Sequence, residues 1–301
     1  MLLFLRDNPP NVKVKDVSRP AISFEFFPPK SDKAADALWN AAGELAKLEP
    51  KYMTVTYGAG GSTKSGTVDT LSKMMCHNIP LAAHLTFINS RKEELKAYTD
   101  QLWDMNVRHI VALRGDMPAD ADVNWPLDSD ENYFQYTSDF VEGLKSWNDF
   151  EISVGCYPEK HPDAPSLEAD IQALKLKCDA GANRAITQFF FDNEDYIRFV
   201  EQCQKAGIDT PICPGLLPIH DFKNMCNFAK RCQANVPSWL HEKFDGVESA
   251  AETEKIAADL LITQVQGLAE LGATHIHFYT LNKSAITAEA CKALGYTAKA
   301  A

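Results

Sequence analysis

The chain has eight cysteines, Cys76, Cys156, Cys178, Cys203, Cys213, Cys226, Cys232 and Cys291, but no two of them form a Cys-x-x-Cys pair. That absence argues against a structural zinc site and a dithiol redox motif. Most of these thiols fall in apolar or helical contexts, where reduced cysteine acts as a small hydrophobe, and a reducing cytoplasm is the compartment that fits. Long apolar runs are missing too. No stretch approaches the roughly 20 residues needed to cross a bilayer. The apolar start of MLLFLRDNPPNVKVKD has no positive residues before it and no small-residue cleavage site, so it does not read as a secretory signal, and no membrane partner is expected. Positive charge is in the minority, with 30 Lys and Arg against 41 Asp and Glu, a net charge of -11. A nucleic-acid surface would show a basic stripe; scattered charges of this sign read as a solvated acidic surface, and no nucleic acid is expected as a partner. There is no G-x-S-x-G elbow, Walker loop or H-E-x-x-H, which removes the usual signatures of serine hydrolases, P-loop enzymes and zinc proteases.

What is present is a regular alternation. Short β-rich runs bounded by turn residues occur at Ala21 to Phe27, Tyr52 to Tyr57, Pro80 to Phe87 and His109 to Arg114. They continue at Glu151 to Tyr157, Arg184 to Phe191, Pro211 to Leu217 and His275 to Thr280. Helix-period segments lie between them, among them Ala34 to Leu48, Arg91 to Met105, Leu167 to Asp179, Glu194 to Ala206 and Ala251 to Leu271. Ser31 or Asp32, Ser90, and Asp192 or Asn193 supply capping side chains, and Gly181, Gly207 and Gly272 stand where three helices should stop. Strands alternating with helices imply parallel pairing with right-handed crossovers. Eight such units predict an α/β fold, a (β/α)8 TIM barrel forming a single domain over residues 20–301, after an amino-terminal extension at 1–19. A dinucleotide-binding Rossmann sheet is excluded because the first strand runs into Pro28-Pro29-Lys30 rather than a glycine-rich turn. Val236 to Ala251, with Pro237, Trp239, His241 and Phe244, reads as an insertion, either a short helix or a cover over the barrel mouth.

In such a barrel the chemistry gathers at the carboxyl ends of the strands. Glu25 in SFEFFPP is the sharpest candidate, a carboxylate in an aromatic strand whose burial should raise its pKa into the range of a general acid. The bland alternative is a side chain that reaches solvent. Asp116 in Arg114-Gly115-Asp116 stands after strand four, where an R-G-D turn is often only a turn. His84 reads equally as a buried histidine satisfied by backbone. His275 and His277 share one strand face, yet no acid or thiol cluster stands near them in the sequence, so no metal is expected. Tyr157 and His161 follow strand five, and Thr187 and Gln188 sit in strand six. The phenylalanines of QFFFD at 188 to 192 suit core packing as well as a binding face.

Taken in order, SFEFFPP at 23–29, VTYGAGGS at 55–62, AAHLT at 82–86, ALRGD at 112–116 and YPEKHP at 157–162 resemble the bacterial-type 5,10-methylenetetrahydrofolate reductases. DAGANRAITQFFFD at 179–192, PGLLPI at 214–219 and HFYTLN at 277–282 extend the likeness over nearly the whole chain. The resemblance implies a barrel that binds FAD non-covalently, takes electrons from NADH or NADPH and reduces 5,10-methylenetetrahydrofolate to 5-methyltetrahydrofolate by a ping-pong sequence. It implies catalytic roles for Glu25, as the general acid, and Asp116, near flavin and folate. Flavin contacts carried over by motif are Thr56, His84, Arg114, Gly115, Asp116, Tyr157, His161, Asp170 and Lys177. Gln188, Phe222 and Lys283 would meet the substrate. Three positions depart from the family pattern: Ala173 and Leu176 replace an asparagine and an arginine, and Lys283 replaces an arginine that would meet the folate tail. Lysine keeps the charge and loses the bidentate fork. No carboxyl-terminal regulatory domain, and hence no inhibition by S-adenosylmethionine, is expected, and a homo-oligomer is. Two other readings stay open: a flavin-free or proline dehydrogenase-like relative, and a folate-binding barrel without chemistry.

Overall fold

The structure, a computed structural model, describes residues 19–57, 64–116 and 131–299. Residues 1–18 of the extension expected at 1–19, and most of the glycine-rich part of the motif at 55–62, lie outside the described residues. Strands β1 (Ala21–Phe26), β2 (Tyr52–Val55), β3 (Leu81–Thr86), β4 (His109–Leu113), β5 (Glu151–Cys156) and β6 (Arg184–Thr187) pair in sequence order, all parallel. Two further short strands, β7 (Ile212–Cys213) and β8 (Gly215–Leu216), pair respectively with β6 and with β9 (His275–Tyr279), and β9 returns to β1. The ring is therefore that of a (β/α)8 barrel, as expected, with one correction. The run read as a single seventh strand, Pro211 to Leu217, is divided at Pro214, whose missing N–H cannot serve a ladder. The sixth strand is also shorter than predicted: after Thr187 the chain leaves the sheet, so Gln188 to Phe191 form part of the loop at the mouth.

The helices follow their sequence signals closely. They are α1 (Asp32–Ala46), α2 (Lys64–Met74), α3 (Lys92–Asp104), α4 (Thr137–Trp147), α5 (Leu167–Asp179), α6 (Asn193–Lys205) and α7 (Phe222–Cys232), followed by α8 (Ser238–Phe244), α9 (Ala250–Glu270) and α10 (Ala285–Ala293). Ser31 and Asp192 cap α1 and α6 through their side chains, whereas the cap of α3 is Arg91, one residue beyond the predicted Ser90, where Glu94 reaches back to the Arg91 N–H. The insertion is a short helix: α8 buries Leu240 and Phe244 and packs on α9.

The pleat divides the strands into two unlike faces. Ile22, Phe24 and Phe26, Met53 and Val55, Ala83 and Leu85, Ile152 and Val154, and Ile276 and Phe278 join the helices in one continuous apolar core. The alternate positions face the lumen, and many of them are polar: Ser23, Glu25, Thr54, His84, His109, Ser153, Arg184, His275 and His277 are all buried. Burial of the outer face, at about 25 cal/mol per Å² of apolar surface, supplies the stability, and the lumen is released for polar work. Gly215 marks the tightest point of the wall. A Cβ there would stand 2.3 Å from the Thr187 carbonyl oxygen and 2.7 Å from the Tyr279 hydroxyl. Gly215→Ala is expected to cost about 3 kcal/mol, at the upper end of overpacking effects, read as a lower denaturation midpoint with an unchanged slope.

A candidate active site at the barrel mouth

Glu25 stands one residue from the end of β1, in register with Thr54 and Tyr279, and is buried. Its Oε2 meets two imidazoles. His84 Nε2 lies 3.2 Å away, without hydrogen-bond alignment, and His277 Nε2 lies 3.5 Å away. Burial pushes the carboxyl up, as the sequence led us to expect, but the two imidazoles outweigh it and hold the group at about 2. The expected rise is thus corrected to a fall. His277, in turn, is depressed by burial, against the pull of Glu25. The loop after β9 ties this end of β1 in place: Thr280 Oγ1 donates to the Glu25 carbonyl at 2.6 Å, and Asn282 brackets the Phe27 backbone with two bonds of 2.9 Å.

At the carboxyl-terminal ends of β4 and β5, between those strands, α4 and α5, opens a cavity of about 650 Å³. Five predicted cofactor residues, Arg114, Tyr157, His161, Asp170 and Lys177, line it. Arg114 extends an exposed guanidinium to Asp163 at 2.9 Å. Tyr157 meets the His161 ring edge to face at 4.5 Å, and burial pushes its phenol up to about 12. The buried Asp170 carboxylate accepts the His161 backbone N–H at 2.7 Å, and His161 Nδ1 accepts the Asp163 N–H, so the ring is held neutral with its other nitrogen protonated. Lys177 Nζ donates to the Gly155 carbonyl at 2.6 Å, and burial lowers its pKa. Ala173 and Leu176 line the same cavity and bring no polar atom; Leu176 is 60% exposed at its rim, as is Tyr136. The donor set suits an anionic, elongated ligand, and the rim suits a flat apolar end.

Gly115 shapes the turn between the two regions. Its φ is +93°, and a Cβ would stand 2.8 Å from Thr86. Asp116 follows it, exposed. Thr56 joins the mouth through its backbone, donating to Phe26 O and accepting from Thr67 Oγ1. Gln188, half-buried beside Tyr157, turns its side-chain oxygen back to the Phe189 N–H. Two predicted substrate residues line neither region. Phe222 stacks on Phe244 of α8 at 4.4 Å, and Lys283 borders a separate cavity of about 400 Å³ with His220, between α1, α9 and α10.

Sequence reasoning passed over the lumen itself. Ser23, Tyr52, His109, Ser153 and Arg184 were hidden in runs read as core; the signal that could have found them is the period-two spacing of polar residues, as in Ser23-Phe24-Glu25 and His275-Ile276-His277. Among the described residues, no cluster of three His, Cys, Asp or Glu could hold a metal. Nor is any helix among them long and apolar enough to cross a membrane.

A family model for methylenetetrahydrofolate reductase matches residues 12–295. The chain belongs to the methylenetetrahydrofolate reductase family. The 5,10-methylenetetrahydrofolate reductase of Escherichia coli is 42% identical over 276 residues, which covers 91% of this chain and 90% of that protein. Methylenetetrahydrofolate reductase (NADH) 1 of Arabidopsis thaliana is 33% identical, and its match covers 91% of this chain but 49% of the plant protein. A solved structure, an uncharacterized protein from Clostridium thermocellum described as binding two copies of 5-methyl-5,6,7,8-tetrahydrofolic acid, has a TM-score of 0.62 at 15% identity over 93% of this chain and 95% of its own. At that identity it speaks for the fold alone.

Proposed function

We propose that this chain is an FAD-dependent 5,10-methylenetetrahydrofolate reductase using NADH or NADPH and releasing 5-methyltetrahydrofolate. The observation that carries the reading is the placement of a buried acid, Glu25 with its two imidazoles, at the same barrel mouth as the cavity lined by Arg114, Tyr157, His161, Asp170 and Lys177. That cavity fits FAD: Arg114 and Lys177 would hold the pyrophosphate, Tyr157, His161 and Asp170 would shape the wall, and the apolar Ala173 and Leu176 with Tyr136 would meet the adenine end. Bound there, the flavin supplies a two-electron relay between nicotinamide and folate.

The protein's own part is to place the substrate and handle its proton. Glu25 would deliver a proton to the bridging nitrogen of methylenetetrahydrofolate, so that the C–N bond opens and leaves a cationic iminium. Asp116, a carboxylate at the mouth, would favour that cation. Hydride, which the bound flavin would supply, would make the iminium carbon the methyl group. Gln188 would hydrogen-bond the pterin, and Phe222 would offer the ring face that Phe244 leaves open. Lys283 would meet the anionic folate tail. Lys283→Ala is expected to raise the Michaelis constant for folate a few-fold with little change in turnover, the pattern of lost uniform binding; an unchanged constant would remove Lys283 from the site.

The test of the whole reading is the visible spectrum of the purified protein, followed anaerobically. Yellow absorbance that bleaches with NADH or NADPH and returns with methylenetetrahydrofolate is the expected result. A protein that stays colourless after added FAD would overturn it, and one that binds methylenetetrahydrofolate without reoxidation would be a folate-binding barrel.

A further inference from the structure

The lumen below Glu25 holds a continuous row of proton-carrying groups. His277 Nε2 faces Glu25 Oε2 at 3.5 Å, and its other nitrogen, Nδ1, lies 2.7 Å from Ser23 Oγ. The same Ser23 oxygen lies 2.9 Å from His275 Nε2. His275 opens β9 at the amino-terminal end of the barrel and keeps 6% exposure, whereas Ser23 and His277 keep none. The row therefore runs from the floor of the barrel, where a trace of solvent access remains, to the acid at its mouth.

We propose that His275, Ser23 and His277 form a proton wire that reloads Glu25 from the floor of the barrel, away from the face that substrate covers. The proposal rests on the reductase reading above and deepens it. In one passage, the His275 Nε2 proton passes to Ser23 Oγ, the Ser23 hydroxyl proton passes to His277 Nδ1, and the His277 Nε2 proton passes to Glu25 Oε2. As its Nε2 proton leaves, His275 takes a proton from water at the floor on its Nδ1 and stays neutral, so one proton enters from solvent and one arrives on Glu25. Ser23 ends as the hydroxyl it was, and His277 ends neutral, with its proton moved from Nε2 to Nδ1. Glu25 hands the proton on to the substrate nitrogen and returns to the carboxylate that its two imidazoles favour.

Two features support this direction of travel. The first is the field along the row. His275 faces the positive Lys51 at the start of β2 and Arg184 of β6, and both oppose a proton resting on it. His277 faces the carboxylate of Glu25, which attracts one, with His84 of β3 on the far side of that carboxylate. Tyr52 of β2 packs its ring against His275 and His277 at 5.5 and 6.1 Å, Tyr279 of β9 meets the His277 ring edge to face at 5.3 Å, and His109 of β4 is the remaining imidazole in reach. The second is the contrast with the neighbouring lumen group. There His109 Nε2 lies 2.7 Å from Ser153 Oγ and 3.2 Å from Arg184 Nη1. A guanidinium does not give up its proton, so that group can hold the barrel together but cannot pass charge. Among the described lumen residues, the relay geometry, with each ring nitrogen of His277 turned to a different proton partner, is found on the side that ends in Glu25.

The test compares Ser23→Ala, Ser23→Thr and His275→Gln as flavin-loaded proteins, with the two half-reactions followed separately against pH by stopped flow. Reoxidation by methylenetetrahydrofolate should fall roughly tenfold or more in Ser23→Ala and His275→Gln, within the range of lost acid catalysis, with a shifted pH profile and an unchanged folate Michaelis constant. Reduction by the nicotinamide reports whether each variant is folded and loaded, and Ser23→Thr, which keeps the hydroxyl, should recover most of the rate. His275→Gln serves where Ser23→Ala fails to fold. Reoxidation at the wild-type rate and pH profile in both variants, with only a lower melting temperature, would reduce the row to structure and overturn the wire. A second readout needs no turnover. In 15N-edited spectra of histidine rings, Ser23→Ala should change the signals of His275 and His277 together; independent responses would also overturn the proposal. A wild-type protein that methylenetetrahydrofolate never reoxidises would refute the reductase reading instead, and the ring spectra would still judge the wire.

Discussion

Glu25→Gln should abolish reduction of methylenetetrahydrofolate, by at least about a hundredfold on the scale of a lost general acid, while flavin reduction by the nicotinamide survives. Glutamine fills the same volume and keeps an oxygen that can accept from His277 Nε2 at the present 3.5 Å, so the lumen need not rearrange. What it cannot do is ionise. The loss should therefore fall on the step that needs a proton delivered to the substrate nitrogen, and only there. Stopped-flow measurement of each half-reaction separates the cases: equal loss in both would sink the assignment, because a damaged cofactor site rather than a missing acid would then be responsible. The resting carboxylate is ionised, at about 2. A general acid with that resting state must be charged from its partners at the moment of use, and His84 and His277 are the partners in contact. His84, carried over from the family pattern as a flavin contact, thus stands against the acid in this structure.

Much of this arrangement was legible in the chain. The alternation of β-rich runs with helix-period segments gave the barrel and placed the five helices it named within about two residues of their observed ends, because each strand's outer face must be apolar to pack on helices and each helix start needs a capping side chain. The division of the seventh strand was missed because Pro214 lies inside an otherwise β-rich run, and the overlong sixth strand because Phe189 to Phe191 look like strand residues whether or not they find a ladder partner. At the site, motif order located Arg114, Tyr157, His161, Asp170 and Lys177, and the structure gathers them around one cavity. The sign of the Glu25 shift was not legible. It depends on the convergence of β3 and β9 across the lumen, and nothing local to SFEFFPP reveals that His84 and His277 arrive at the same oxygen. The position of Phe222 is a similar case: its stacking partner Phe244 comes from a short helix whose place over α7 only the folded chain defines.

Buried histidines that resist taking up a proton should also make the protein labile to acid, with the melting temperature falling steeply from pH 6.5 towards 4. Burial holds His275 at about 3 and His220 at about 4, and it depresses His109, His161 and His277 as well. Each of these groups has a folded pKa below its unfolded value. In the window between the two, the unfolded chain binds a proton that the native state refuses. Stability therefore rises with pH there, is fully present above about 6.5, and is lost as the pH falls. Glu25 has the same sign in a lower window: its contribution is present above 4.5 and is lost as the pH falls towards about 2. Each pKa unit corresponds to about 1.4 kcal/mol, so even two units across the coupled lumen histidines would remove about 3 kcal/mol from a typical stability of about 5–15 kcal/mol. Melting curves taken from pH 8 to 4 would show this as a falling midpoint, and His220→Gln, which removes one such group outside the lumen, should make the fall shallower. A flat profile would mean that the native state takes up protons as readily as the unfolded chain, so that burial does not hold these histidines below their ordinary range.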